Sequence, residues 1–158
     1  MASAEIAAVR VAAADRLTRD FGDGHWSAHT YDGAVMRDIA VSRVLVARSG
    51  EAIVGTLTLQ TKKPWAIDLE YFTPVKKAIY LINMAVAPDH QRTGVGRALL
   101  ERALLAARGI PAQAIRLDAY DGPAGAGKFY SKCGYTPRGG KIYRGTPLLY
   151  FELMTHLR

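Results

Sequence analysis

The sequence predicts an α+β chain, α/β-like in its second half, with a mixed sheet and helices on both faces. Three observations carry this. "SRVLVARSGEAIVGTLTLQTK" holds two β-rich runs around Ser49-Gly50-Glu51 and reads as a hairpin. "KAIYLINMAVAP" is nearly all apolar, as in a strand buried on both faces, and leads through a glycine loop into an apolar-striped helix. A second strand and short helix follow, then two strands around glycine turns.

The elements follow in order. From about Ala4 to Phe21, Ile6, Val9, Ala13, Leu17 and Phe21 recur near helical spacing. "FGDGHWSAHTYDG" is a loop with glycine breaks, and a short helix is expected over Asp32–Ile39. The hairpin comes next. "KPWAIDLEYFTP" is irregular, punctuated by Pro64 and Pro74. After the apolar strand, "GVGRALLERALLAARG" is a helix burying Leu99, Leu100, Ala103, Leu104 and Ala107, stopped by Gly109 and Pro111. "QAIRLDAY" is a strand, and "GPAGAGKFYSKCG" enters a short helix that Gly134 ends. "YTPRGGKIYRGTPLLYFELM" supplies the last two strands. One domain over residues 1–158 is expected, with no repeat or linker.

Composition narrows the class. Hydrophobic residues make up 49% and charged residues 22%, as in a soluble globular protein. No apolar run approaches the roughly 20 residues that span a bilayer. Glu5, Arg10 and Asp15 interrupt the Ala-rich start, so it reads as mature structure rather than a signal peptide. The single Cys133 cannot form an internal disulfide, which suits a reducing cytoplasm. The net charge of +7 favours anionic partners: a polyphosphate cofactor, nucleic acid or an acidic surface.

The strand–loop–helix at Gln91-Arg-Thr-Gly-Val-Gly96 is suited to phosphate. The first N–H groups of a helix lack partners within it, and the helix dipole is positive there. Gly94 and Gly96 let backbone approach a ligand closely, and Arg92 and Arg97 can add charge-assisted contacts. The same residues also suffice for a plain tight turn. Two other phosphate loops are excluded. A dinucleotide fingerprint would need a further Gly at about Ala98–Leu99. "GPAGAGKF" fits G-x-x-x-x-G-K, but Phe129 stands where the metal-holding Ser or Thr belongs.

Two stretches in order resemble the GNAT family of acetyl-CoA-dependent N-acetyltransferases. "YLINMAVAPDHQRTGVGRALLERAL" resembles its central strand, Q/R-x-x-G-x-G/A loop and helix. "AIRLDAYDGPAGAGKFYSKCGYTPRG" resembles its second motif, a strand and a helix carrying F-Y-x-K-C-G-Y. The resemblance covers roughly Val41 to the end. Residues 1–40 fall where the family places variable, acceptor-side helices. It implies a mixed sheet splayed between the fourth and fifth strands of the family's fold, here the strands at Ile79–Val86 and Ala114–Tyr120. Acetyl-CoA is then the implied cosubstrate, with no metal. Its pantetheine arm would pair with the backbone of Met84, Ala85 and Val86. Its pyrophosphate would sit on Gln91, Arg92, Thr93, Gly94, Val95, Gly96 and Arg97, with Phe129 and Tyr130 also in contact.

Acetyl transfer to an amine needs deprotonation of the amine, donors for the developing oxyanion and an acid for the leaving thiolate. Tyr130 matches the family position that often protonates the thiolate. In that role it would be expected to shape the high-pH limb of the rate profile. The central strand has no Glu, the base in many relatives, which leaves Glu70 as the favoured carboxylate. Asp68, Asp118, His25 and His29 are alternatives. Pro123 replaces the Asn that relatives often carry seven residues before the Tyr. Trp26, Trp65, Tyr71, Asn83 and Asp118 are the candidate acceptor contacts, with Tyr31 and Phe72 near them.

Three function classes follow. The first is an N-acetyltransferase acting on a primary amine, small or proteinaceous, by direct attack in a ternary complex. The second is a non-catalytic acyl-CoA-binding or sensing module on the same fold. The third, a nucleic-acid binder, is disfavoured because the basic residues form no dense run interleaved with aromatics. No nucleic-acid or membrane partner is therefore expected, and a homodimer is an allowed assembly.

Overall fold

A computed structural model describes residues 2–28 and 31–156. It carries a six-stranded mixed sheet in the order β1-β2-β3-β4-β6-β5. The strands are β1 (Arg43–Ser49), β2 (Ala52–Gln60), β3 (Ala78–Val86), β4 (Ala114–Tyr120), β5 (Thr136–Tyr143) and β6 (Thr146–Met154). The helices are α1 (Ala2–Phe21), α2 (Asp32–Val41), α3 (Val95–Gly109) and α4 (Gly127–Lys132). The segment expected to be irregular holds only a 3-10 turn, Leu69–Tyr71. The strands named as fourth and fifth in the family's count are therefore β3 and β4 here. Two compact units are present: Met1–Gln60 with Ile82–Ala103, and Thr61–Leu81 with Leu104–Arg158.

In the first unit, β1 and β2 pair antiparallel from Arg43↔Leu59 to Ser49↔Ala52. Ile6, Ala7 and Val9 of α1 pack with Val35 of α2 and Ile53 of β2. The Arg10 guanidinium, almost fully buried, donates to Asp38 on α2 and to Thr58 on β2, each at 3.1 Å. One α1 cation thus ties the second helix and a strand together. Of the stripe expected on α3, Leu99, Leu100, Ala103 and Ala107 are buried and Leu104 is only half-buried.

In the second unit, β3 and β4 are parallel over Ala78↔Ala114, Ile79↔Ile115 and Tyr80↔Arg116. β4 runs antiparallel to β6 from Ala114↔Met154 to Tyr120↔Leu148, and β5 pairs with β6. Ile67, Phe72, Tyr80 and Tyr150 form a core. Phe72, expected near the acceptor, is therefore core packing. The expectation that β3 is buried on both faces holds for Ile79, Tyr80 and Leu81, but Asn83 is exposed.

A buried polar network fastens the Thr61–Lys77 segment to this core. Arg116 pairs with Glu152 at 3.0 Å, both side chains below a tenth exposed. Arg116 also donates to Tyr80 Oη at 3.3 Å and to the Thr73 carbonyl. The Thr73 N–H donates to Glu152 at 3.3 Å. Glu152→Gln leaves the Arg116 charge without a carboxylate in a site that water does not reach. Stability should fall by about 2 kcal/mol. The melting temperature should then drop by roughly 4–8 °C. Calorimetry showing an unchanged melting temperature would mean the pair adds nothing net.

Candidate active site

In the first unit, the Gln91–Gly96 loop links β3 to α3. Its conformation is fixed from both sides. The Ala87 N–H donates to Val54 O at 2.8 Å. Gln91 Nε2 donates to Val86 O at 3.1 Å, and the Thr93 hydroxyl donates to His90 O. The side chains of Gln91 and Thr93 are therefore used in closing the loop, so their contribution to a ligand would come from backbone. Arg92 and Gly94 adopt left-handed φ values of 62° and 93°. Successive reversals of this kind turn N–H groups toward one side, as in anion-binding nests. Arg92, Thr93, Gly94 and Arg97 are exposed, while Val95 and Gly96 are half-buried. A Cβ on Gly94 would meet no protein atom within 4 Å. The loop thus presents open space at the start of α3, where the first N–H groups have no partner within the helix, and two exposed arginines. That combination fits a pyrophosphate.

Just before the loop, Asn83 interrupts β3 with φ at 53°. Asn tolerates this region better than most residues. Strand alternation breaks there, one residue before the half-buried Met84, Ala85 and Val86. Trp26 is half-buried and folded onto its own loop. Its indole N–H donates to Gly22 O at 3.1 Å, and the His25 ring stands edge-on at 5.3 Å. His25 itself is exposed, and His29 lies outside the described residues.

In the second unit, Tyr130 is only 7% exposed. Its ring packs against Phe129, Tyr135 and Phe151, with centroids 5.6–5.9 Å apart. Burial, then the nearby Asp118 carboxylate and Cys133 thiol, push its pKa well above the ordinary phenol value. Asp118 sits on β4 opposite Tyr150, and burial pushes its carboxyl above the usual range. The Asp118 charge thus acts on the buried Tyr130 phenol. Glu70, the favoured base from sequence, is instead exposed on the 3-10 turn, its own N–H donating to Asp68 at 3.1 Å. Tyr71 is half-buried, edge-on to Tyr150 at 5.1 Å, and so is largely core. Trp65 is 81% exposed.

The glycine run before α4 has a purely steric role at Gly125. A Cβ there would lie 1.8 Å from the Tyr120 carbonyl oxygen, so the turn admits no side chain. Among the described residues, no group of three His, Cys, Asp or Glu could hold a metal ion. No helix among them is long and apolar enough to cross a membrane.

A family model described as "Acetyltransferase (GNAT) domain" matches residues 40–137. The chain belongs to the GNAT family and is an acetyltransferase. No curated protein matches it by sequence. Solved structures similar to it share its fold. yncA of Salmonella typhimurium, solved with its cofactor acetyl-CoA, is 17% identical, with a TM-score of 0.70 over 99% of this chain and 91% of that one. The ribosomal-protein-alanine N-acetyltransferase of Brucella melitensis is 18% identical, with a TM-score of 0.69 over 96% and 95%. An aminoglycoside 6'-N-acetyltransferase complexed with coenzyme A is 13% identical, with a TM-score of 0.65 over 94% and 92%.

Proposed function

We propose that this protein transfers the acetyl group of acetyl-CoA to a primary amine by direct attack of the amine on the thioester. The observation that carries the reading is the Gln91–Arg97 loop, which lies inside the family-matched span and has the open, N–H-lined form a pyrophosphate requires. Relatives of the same fold were solved with acetyl-CoA or coenzyme A, which supports the same ligand. Arg92 and Arg97 supply charge to the phosphates. Backbone groups of Met84, Ala85 and Val86 hold the pantetheine arm as a strand would. Acetyl-CoA supplies an activated acyl group.

The remaining chemistry is proton movement by the chain's own residues. Asp118 replaces Glu70 as the proposed base. Its raised pKa brings it nearer that of the ammonium it must deprotonate, which general base catalysis favours. Tyr130 is the proposed donor to the departing sulfur, with Phe129 packed beside it. In the first unit, exposed Asn83 and half-buried Trp26 are the proposed acceptor contacts.

Gly94→Val tests the cofactor assignment. At a φ of 93° a β-branched residue is strained, so the substitution re-forms the loop backbone as well as filling the open space beside it. Coenzyme A affinity should fall at least tenfold, about 1.4 kcal/mol, in a protein that remains folded by circular dichroism. Calorimetry finding unchanged affinity in the folded variant would remove the loop from the cofactor site. Thiol release against an amine panel tests turnover. Tight coenzyme A binding with no turnover on any amine would favour a sensing module.

A further inference from the structure

The end of α4 fixes Tyr135 through its backbone. Gly134 turns the chain with φ at 93°. Its N–H donates to Ser131 O at 3.1 Å, and the Tyr135 N–H donates to Tyr130 O at 3.0 Å. This pair of bonds closes a helix C-terminus and brings the residue after the glycine back over the last turn. The Tyr135 ring accordingly lies 5.8 Å from the Tyr130 ring, tilted at 58°. Tyr135 is 2% exposed. A Phe would make the same ring contact.

The hydroxyl is what this packing leaves over. Tyr135 Oη is buried and has no hydrogen-bond partner among the described residues. Two other buried phenols of the same unit are provided for. Tyr80 Oη accepts from Arg116 at 3.3 Å, and Tyr150 Oη donates to Ala66 O. A buried hydroxyl without a partner is costly, and Phe would fill the space without that cost. A bound water is the usual remedy where several polar groups can hold it. Burial, then the Tyr130 phenol and the Cys133 thiol, raise the Tyr135 pKa. Those two groups therefore act on the Tyr135 hydroxyl, and Tyr130 is the stronger hydrogen-bonding partner of the two. With its pKa raised, Tyr135 keeps its proton through the working range and is a donor.

The proposed chemistry needs a donor beside Tyr130. When Tyr130 gives up its proton, its O–H bond breaks, an S–H bond forms on the departing sulfur, and a phenolate is left on Tyr130. That phenolate is buried, and the Asp118 carboxylate disfavours it. A charged acceptor in an apolar setting gains strongly from a hydrogen bond.

We infer that Tyr135 is a positioning residue for the acid: one buried water joins its hydroxyl to Tyr130 Oη and carries the hydrogen bond that steadies the Tyr130 phenolate. The catalytic half of the inference rests on the proposed role of Tyr130 as proton donor. The hydrogen-bonded pair itself is readable without turnover.

The test is a double-mutant cycle of Tyr135→Phe and Tyr130→Phe, read by melting temperature, coenzyme A calorimetry and thiol release with the best amine of a panel. Tyr135→Phe should melt about 2–4 °C below wild type, the loss of one hydrogen bond. It should lower kcat about tenfold and leave coenzyme A affinity unchanged. In the Tyr130→Phe background the same substitution should change kcat by less than about twofold, because its effect runs through the Tyr130 hydroxyl. A Tyr135→Phe protein that melts higher than wild type would show an unsatisfied hydroxyl and overturn the inference. An unchanged kcat overturns it too. So does a tenfold loss that persists in the Tyr130→Phe background, which would make Tyr135 act without Tyr130. Weaker coenzyme A binding at constant kcat would place the hydroxyl on the cofactor and likewise overturn it. If Tyr130→Phe slows turnover and Tyr135→Phe does not, this inference alone fails. If melting is coupled but no amine is turned over, the proposed function fails, and the shared water loses its catalytic role.

Discussion

Asp118→Asn is expected to lower kcat by about 10³-fold near neutral pH, within the 10²–10⁴ range of general base catalysis. Asn keeps the volume and some hydrogen bonding of the side chain but cannot accept the ammonium proton. Burial raises the Asp118 pKa above the usual carboxylate range. In the wild-type enzyme the rate should therefore climb with pH as Asp118 ionises, at a higher pH than an exposed Asp would give. That limb should vanish in Asp118→Asn, leaving only the dependence on free amine. Stability should move the other way. A carboxyl whose folded pKa is raised holds its proton more tightly in the native state than in the unfolded chain. Its burial penalty is absent below the unfolded pKa and is felt as pH rises through the folded one. At neutral pH the penalty is present, so Asp118→Asn should melt higher than wild type while turning over far more slowly. An Asp118→Asn enzyme with lost activity and a lower melting temperature would mark Asp118 as a structural residue. One with wild-type kcat would return the role to Glu70, to another group or to water.

That pairing was only half legible in the sequence. "AIRLDAY" places an acid inside an otherwise apolar strand, and an Asp at such a position is a signal in itself. What the sequence could not show is that Asp118 and Tyr130 feel one another, since twelve residues and a turn separate them. Glu70 lies just upstream of the central strand, and proximity in sequence says nothing of exposure. The elements were readable because their patterns are strong. α1, the hairpin and α3 follow hydrophobic period and turn residues, and tertiary context did little to override them. The left-handed Asn83 escaped because an Asn in an apolar run looks like an ordinary strand residue. Tyr71 and Phe72 read from sequence either as acceptor contacts or as caps on the core, and Tyr150 gathers both into a core through contacts some eighty residues away. The reverse occurred at Trp65, where the structure leaves the ring in solvent.

Tyr130→Phe is expected to lower kcat by roughly 10²-fold, the lower end for a general acid. The ring contacts with Phe129, Tyr135 and Phe151 do not involve the hydroxyl, so packing and coenzyme A affinity should be kept. An ordinary phenol is about 1.5 pH units less acidic than a thiol, so the transfer is uphill by about 2 kcal/mol in water. Burial and the Asp118 carboxylate push Tyr130 further from acidity. Donation is reasonable only if the same apolar surroundings raise the basicity of the departing thiolate in parallel. Matching, rather than absolute acidity, is then what the site provides. This changes the pH dependence expected from the sequence. A Tyr130 with so high a pKa stays protonated throughout the working range, so it contributes no high-pH limb. The rate profile of Tyr130→Phe should therefore be lower than wild type by a nearly constant factor, with the Asp118 limb unmoved, because burial is what raises the Asp118 pKa. A larger deficit at high pH than at neutral pH would show that the phenol titrates after all. An unchanged kcat at every pH would assign the proton to water and leave Tyr130 as packing for the short helix.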